Sequence, residues 1–118
     1  MNKLDRFQNI LKDILDFRER RDWKQFHNPK NIAESISLEA AELLEHFQWK
    51  DFDASEKYAK ENKEAISEEA ADILVYLLYF CDRIGIDILG AVEKKMKQNN
   101  KKYPIEKSKG NAIKYNKL

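Results

Sequence analysis

The sequence has little of the material from which disulfides, tight turns and irregular loops are built. Among 118 residues there are three glycines, two prolines and one cysteine, whereas 36% of the residues are charged. A chain that is poor in turn residues and rich in helix formers is expected to be mostly helical. Because Cys81 has no partner for an internal disulfide, a reduced, cytoplasmic compartment is expected.

Long apolar runs and an excess of one charge are also missing. The longest apolar run, residues 73–81, is much shorter than the roughly 20 residues that cross a bilayer, and no apolar signal-peptide core opens the chain. We therefore expect a soluble protein. Twenty-two basic against 21 acidic residues give a formal net charge of +1, which argues against a nucleic-acid or membrane partner.

Apolar residues recur at helical spacing in four segments, at about 4–20, 30–48, 64–84 and 88–102. Pro29 suits the first turn of the second helix, Gly85 ends the third, and Asp87 can cap the fourth. Residues 50–64 are polar and weakly periodic, which indicates a loop followed by a short or marginal helix. Short connections favour antiparallel neighbours, so we predict an all-α four-helix bundle over residues 1–104. The lysine-rich residues 105–118 are expected to form a loosely attached tail.

Two pairs of carboxylates stand out: Glu39 with Glu42, and Glu69 with Asp72. Each pair is spaced i, i+3, so both acids lie on one face of a helix. Both pairs are set among apolar residues, where like charges repel and are poorly solvated. If the second and third helices face each other, the four acids form one carboxylate cluster that needs a cation. Oxygen ligands without cysteine or paired histidine favour Mg²⁺ or Mn²⁺ over zinc.

Five segments, residues 17–29, 38–49, 68–78, 85–89 and 94–104, together resemble a known family. They are similar, in this order, to the MazG-like all-α nucleoside triphosphate pyrophosphohydrolases and, within them, to the dCTP pyrophosphatase branch. The resemblance implies Mg²⁺-dependent hydrolysis of a nucleoside triphosphate, dCTP or a related pyrimidine deoxynucleotide, to the monophosphate and pyrophosphate. It also implies a role in clearing unwanted nucleotides and assembly as a homodimer or homotetramer.

The resemblance assigns roles to individual residues. It implies that Glu39, Glu42, Glu69 and Asp72 are the metal ligands. Many members carry a second glutamate where this chain has Leu38, so the general base is unassigned, and Glu45, one turn beyond Glu42, is a candidate. The implied substrate contacts are Trp23, His27 and Trp49 at the base, Tyr76 near the sugar, and Lys95, Asn99, Lys102 and Tyr103 at the phosphates.

Other interpretations stay open. The acids could be solvated at helix edges, the tryptophans could be packing residues, and a non-catalytic interaction module with an acidic patch is the alternative function. A di-iron carboxylate bundle is disfavoured because neither Glu42 nor Glu69 begins the required Glu-x-x-His motif. His46, one turn after Glu42, is interpreted as a surface or rim residue.

Overall fold

The computed structural model describes residues 3–118, with side chains from Arg6 onward, and this part of the chain is all-α. The predicted fold class is therefore confirmed, and the four predicted long helices are all present. The α-helices are α1 (Lys3–Arg20), α2 (Pro29–Glu45), α3 (Phe52–Glu61), α4 (Lys63–Ile84), α5 (Ile88–Lys102) and α6 (Ile105–Ser108), with 3₁₀ turns at Lys24–Phe26 and Tyr115–Lys117.

The helix ends follow from local chemistry. Asn28 caps α2 by accepting a hydrogen bond from the backbone N–H of Asn31 at 2.9 Å, and Pro29 occupies the first turn. Asp87 caps α5 by accepting a hydrogen bond from the backbone N–H of Gly90 at 3.2 Å. Gly85 ends α4 with φ of 75°, a left-handed conformation that favours glycine. The predicted roles of Pro29, Gly85 and Asp87 are thus confirmed.

The chain divides into two compact units, the first ending at Gly85 and the second comprising Ile86–Leu118. In the first unit α2 packs along α4, and Ile32 from α2 is buried together with Leu78, Tyr79 and Cys81 from α4. The two helices are antiparallel, because Glu39 lies near Asp72 while His46, which directly follows α2, lies near the earlier Glu69.

Two polar contacts attach α1 to α4. The buried Arg18 guanidinium donates to Asp82 at 2.8 Å and to Glu19 at 2.8 Å, and the Tyr79 hydroxyl donates to the Ile14 carbonyl at 3.1 Å. Arg18 is 2% exposed, so its charge depends on these carboxylates. Asp82 and Tyr79 therefore fix where the end of α1, and the loop that follows it, lie on α4.

The segment after α2 is more ordered than its sequence indicates. A loop followed by a short or marginal helix was predicted here; Asp51 caps a ten-residue helix, α3, by accepting from the Ala54 N–H at 2.8 Å. Tyr58 attaches this helix to the end of α2, with its ring 5.8 Å from the Phe47 ring and its hydroxyl 2.8 Å from Nδ1 of His46.

The second unit contains α5, the short α6 and the terminal 3₁₀ turn. Within it the Tyr115 ring packs edge-on against Tyr103, with a centroid separation of 6.0 Å, so the lysine-rich terminal segment is partly structured. The predicted domain boundary after Pro104 stays a prediction. Within residues 3–118 no helix is both long and apolar enough to cross a membrane.

Candidate functional site: a carboxylate cluster between two helices

Three of the four predicted metal ligands converge between α2 and α4. One carboxylate oxygen from each of Glu39, Glu69 and Asp72 lies within 4.8 Å of the other two. The fourth, Glu42, lies beside both Glu39 and Glu69, and its charge acts on both. The antiparallel packing of two i, i+3 pairs produces this arrangement, because each acid on α2 meets one on α4.

The carboxylate cluster is electrostatically unfavourable without a cation. Burial, and next the neighbouring Glu42, raise the pKa of Glu39. The pKa of Glu69 is raised for the same two reasons, burial first and Glu42 second. Oε2 of each of these two residues is also buried without a hydrogen-bond partner among the described residues.

These features fit a hard divalent cation. Two buried, unpartnered carboxylate oxygens would gain the most from a positive charge placed between them. All converging ligand atoms are oxygens, the donor type that Mg²⁺ and Mn²⁺ prefer. The arrangement can therefore hold a divalent metal ion and, through it, a polyphosphate.

A polar cavity of about 430 Å³ adjoins one side of the cluster. It includes Glu45, the candidate general base, which is exposed and close to Glu42. The complete lining is Glu42, Glu45, His46, Lys50, Tyr58 and Glu69.

Three of these lining residues were not predicted as site residues: His46, Lys50 and Tyr58. The side chain of His46 is only 18% exposed and its Nε2 lies 3.9 Å from Glu69, so it is more enclosed than a rim residue. Its position one turn after Glu42 was the available signal. No local pattern pointed to Tyr58, whose place depends on the path of α3.

A second, apolar cavity of about 370 Å³ meets the cluster at Asp72, between α1 and α4. Its walls are formed mainly by Ile14, Phe17, Val75 and Tyr79, and Asp13 completes the lining. A flat apolar group bound next to a metal-held polyphosphate would fit the character of this cavity.

The aromatic loop after α1 lies next to the second cavity. Trp23 is 43% exposed and packs edge-on against Phe17 with centroids 5.6 Å apart. The His27 ring is 4.8 Å from that of Tyr79, and its Nδ1 is buried without a partner among the described residues. Burial, with a smaller effect of the Arg18 charge, lowers the pKa of His27. Both effects favour the neutral form of the His27 imidazole, which lies beside a wall of the apolar cavity.

Trp49 stands apart from this group. Its side chain is 94% exposed, and its φ of 69° places a bulky residue in the left-handed region. Within residues 6–118 no ring contact joins Trp49 to Trp23, so the two predicted base contacts do not form a closed pair. Tyr76, predicted near the sugar, is half-buried, with its ring 6.3 Å from that of Tyr79.

The predicted phosphate contacts belong to the second unit. Lys95 and Asn99 lie on α5, where Lys95 is exposed and the Asn99 amide is 3.9 Å from the Met96 sulfur. Lys102 ends the helix with its Nζ 4.7 Å from the centre of the Tyr115 ring, and Tyr103 follows it. Their role at a phosphate stays a prediction.

Comparison with known proteins adds independent findings. A family model described as "MazG-like family" matches residues 34–118. The chain is 40% identical over 113 residues to dCTP pyrophosphatase 1 of Rattus norvegicus and 38% identical to that of Bos taurus; each alignment covers 94% of this chain. The chain spans 66% and 67% of the length of these two relatives, respectively.

A solved structure is also similar. The crystal structure of a pyrophosphatase from Archaeoglobus fulgidus DSM 4304 superposes with a TM-score of 0.77 and 42% sequence identity. The match covers 88% of this chain and 94% of that one, so the likeness extends over nearly the whole fold.

Proposed function

The chain belongs to the MazG-like family, and we propose that it is a nucleotide pyrophosphatase that hydrolyses a nucleoside triphosphate, preferentially dCTP or a related pyrimidine deoxynucleotide. The products are the nucleoside monophosphate and pyrophosphate, and the role is control of the nucleotide pool. The observation that carries the proposal is the convergence of Glu39, Glu69 and Asp72 between two cavities of different character.

The cofactor in this proposal is Mg²⁺, with Mn²⁺ as a substitute, held by Glu39, Glu42, Glu69 and Asp72. The buried, unpartnered oxygens of Glu39 and Glu69 and the all-oxygen donor set support it. When bound, such an ion polarises a phosphoryl oxygen and lowers the pKa of a coordinated water. The four carboxylates would hold such an ion, which would supply positive charge to the polyphosphate of the substrate.

The chemical step is attack of water on the α-phosphorus. Oxygen from water forms a bond to that phosphorus, the bond from it to the α–β bridging oxygen breaks, and pyrophosphate leaves with that electron pair. Glu45 is the proposed acceptor of the water proton, because it lines the polar cavity beside Glu42. Since little covalent chemistry is asked of the protein, positioning and charge stabilisation supply most of the catalysis.

The nucleoside half of the substrate would occupy the apolar cavity beside Asp72. Trp23 and His27 adjoin its walls through Phe17 and Tyr79, and Tyr76 packs against the same Tyr79. Stacking on an aromatic ring contributes on the order of 1–3 kcal/mol per base and is tolerant of base identity. The preference for dCTP is supported by the names of the relatives. The proposed base and phosphate contacts are Trp23, His27, Trp49, Lys95, Asn99, Lys102 and Tyr103.

A homodimer or homotetramer is the proposed assembly. Leu38 and Leu44 on α2 are 66% and 65% exposed, and Leu74 on α4 is 50% exposed. Apolar side chains so exposed on helices that also carry a functional site commonly mark a subunit contact. A solution mass well above 14.0 kDa by light scattering supports this assembly, and a monomer contradicts it.

A substrate panel with matched variants tests the function. We expect pyrophosphate release from dNTPs with Mg²⁺, fastest with dCTP, that stops with EDTA and falls at least 100-fold in Glu42→Gln. Glu68→Gln removes the same charge from an exposed position next to Glu69 and should stay near wild type. Activity that survives Glu42→Gln combined with Asp72→Asn would reject the assigned site, and absence of hydrolysis for every nucleotide would favour the interaction module.

A further inference from the structure

An imidazole connects the carboxylate cluster to α3. His46 follows the last residue of α2, and its two ring nitrogens face different partners. Nδ1 lies 2.8 Å from the Tyr58 hydroxyl, and Nε2 lies 3.9 Å from Oε1 of Glu69. The side chains of His46 and Glu69 are 18% and 22% exposed, so the contact is largely shielded from water.

The partners of the ring favour one of its two tautomers. An ionised carboxylate only accepts hydrogen bonds, so the nearby Glu69 favours the tautomer that carries its proton on Nε2. In that tautomer Nδ1 is an acceptor, and the Tyr58 hydroxyl, which lies 2.8 Å away, is its donor. Nε2 lies 3.9 Å from Oε1 of Glu69, within charge-contact range but beyond hydrogen-bonding distance, while Oε2 of Glu69 is the buried atom without a partner among the described residues.

Tyr58 is itself held in place on several sides. Its ring packs edge-on against Phe47 at 5.8 Å, and Nζ of Lys50 lies 4.3 Å from its centre. Asp51 caps α3, and the ring of Tyr58 packs against Phe47. The Tyr58 hydroxyl is therefore held in position beside His46. A chain of contacts therefore runs from α3 through Tyr58 and His46 to one oxygen of Glu69.

We infer that His46, oriented by Tyr58, is a positioning residue that fixes the Glu69 carboxylate for binding of a divalent cation. The inference rests on the proposed function, since it concerns the ion that the cluster is proposed to hold. It differs from a ligand role, because the imidazole acts on Oε1 and leaves Oε2 free for the metal. Interactions of this kind behind a metal ligand are worth about 10- to 100-fold in metal affinity.

Titration of Mn²⁺ into the nucleotide-free protein, followed by loss of the free-ion electron paramagnetic resonance signal, tests this. His46→Leu keeps a side chain of similar bulk, and we expect it to raise the Mn²⁺ dissociation constant about 10-fold. His46→Gln keeps an N–H donor near the position of Nε2 and should recover part of the affinity. Circular dichroism confirms that each variant is folded.

Tyr58 supplies a second, smaller change. Tyr58→Phe removes the hydroxyl and keeps the ring packing, so we expect a several-fold rise in the Mn²⁺ dissociation constant. Tyr115→Phe removes a hydroxyl from the second unit and is the matched control, with unchanged affinity. In steady-state assays both His46→Leu and Tyr58→Phe should raise the metal concentration for half-maximal rate, with the KM for dCTP at saturating metal nearly unchanged.

The outcomes separate this inference from the proposed function. If the wild type binds Mn²⁺ and hydrolyses dCTP while His46→Leu binds Mn²⁺ equally well, the inference is wrong and the function stands. If His46→Gln is as weak as His46→Leu, the donor to Glu69 is not the important group, and the inference also fails. If the wild type neither binds Mn²⁺ nor hydrolyses any nucleotide, both are wrong.

Discussion

At the scale of single residues, the site combines buried charge with strained backbone. Glu39 and Glu69 each have one oxygen that is enclosed without a partner among the described residues, which disfavours the ionised form. Trp49 places a large indole almost fully in solvent from a left-handed backbone conformation. Strain and poor solvation of this kind are tolerated where function requires them. Stability and activity should therefore respond oppositely to some substitutions.

Trp49→Gly tests this opposition. A non-glycine residue in the left-handed region costs about 1–2 kcal/mol, and a side chain that is 94% exposed contributes little packing within the chain. Glycine loses more backbone entropy on folding, by roughly 0.5–1 kcal/mol, so we expect the free energy of unfolding to stay level or rise by about 1 kcal/mol. The KM for dCTP should rise about tenfold or more, because stacking is lost.

Urea denaturation of the protein at one fixed concentration measures the first effect, and steady-state kinetics measures the second. Trp49→Phe is the control: it keeps both a stacking ring and the strain, so its KM should stay within a few-fold of wild type. A Trp49→Gly protein with wild-type KM would show that the indole does not contact the base.

The site residues that were predicted from the sequence are marked by a local pattern, whereas those that were missed are brought together only by the fold. The carboxylates were predictable because acids at i, i+3 among apolar neighbours are a local pattern, readable without knowledge of the fold. His46 and Tyr58 are 12 positions apart and meet only because α3 turns back toward the end of α2. A pairing of that kind is set by the tertiary path, so no spacing rule predicts it.

At the scale of helices, local capping decided where elements begin and end. Asn28 with Pro29, and Asp87, are cap residues recognisable from sequence, and the starts of α2 and α5 follow them. The end of α2 was predicted near residue 48 but lies at Glu45. Apolar periodicity continues through Phe47 and so does not mark the end of the helix. The chain instead forms a turn at residues 46–49.

One of the two polar contacts between α1 and α4 is the ion pair of Arg18 with Asp82. The Arg18 side chain is 3% exposed and that of Asp82 is 32% exposed, and Arg18 Nη1 is buried without a partner among the described residues. Asp82→Asn removes the charge that compensates this guanidinium, leaving Glu19 alone to do so. Since a hydrogen bond to a charged group contributes about 1.5–3 kcal/mol, we expect the free energy of unfolding to fall by about 2 kcal/mol.

Chemical denaturation checks the value, with Asp16→Asn as the control on an exposed carboxylate of α1. The control should change stability by less than about 0.5 kcal/mol. The backbone N–H of Trp23 donates to the Arg18 carbonyl at 3.1 Å. A shift of Arg18 in Asp82→Asn would therefore move Trp23, so this variant should also raise the KM for dCTP. Equal stability of both variants would mean that Glu19 alone compensates Arg18.

At the scale of the whole molecule, the chain buries few side chains completely. The buried residues among those described are Ile32, Leu78, Tyr79, Cys81 and Arg18. Leu38 and Leu44 on α2 and Leu74 on α4 stay exposed. Composition predicted the helical class correctly, but burial by a second subunit or by a metal ion leaves no trace in single-chain periodicity. A bound cation is therefore expected to add a substantial share of the net stability.

The pH dependence of stability without metal follows from the same cluster. Glu39 and Glu69 have folded-state pKa values raised above 4.5 by burial and by Glu42. Between 4.5 and those raised values the folded protein holds more protons than the unfolded chain, so stability falls as pH rises through this window. With EDTA we expect these two groups to lower the melting temperature as pH rises above about 4.5.

Metal and substitution should both remove this part of the pH dependence. A bound divalent ion would take the place of the protons on the cluster. At an ion concentration of 100 times the dissociation constant, binding stabilises the folded state by about 2.7 kcal/mol. Mg²⁺ should therefore raise the melting temperature most near neutral pH. Glu39→Gln and Glu69→Gln each remove one titrating carboxylate from the cluster, so each should flatten the dependence of the melting temperature on pH measured with EDTA. Glu68→Gln should leave that dependence as in wild type. Differential scanning calorimetry across this pH range decides the matter: parallel curves for Glu69→Gln and Glu68→Gln would mean that the cluster is not the source of the slope, and that its acids are solvated rather than held together for a cation.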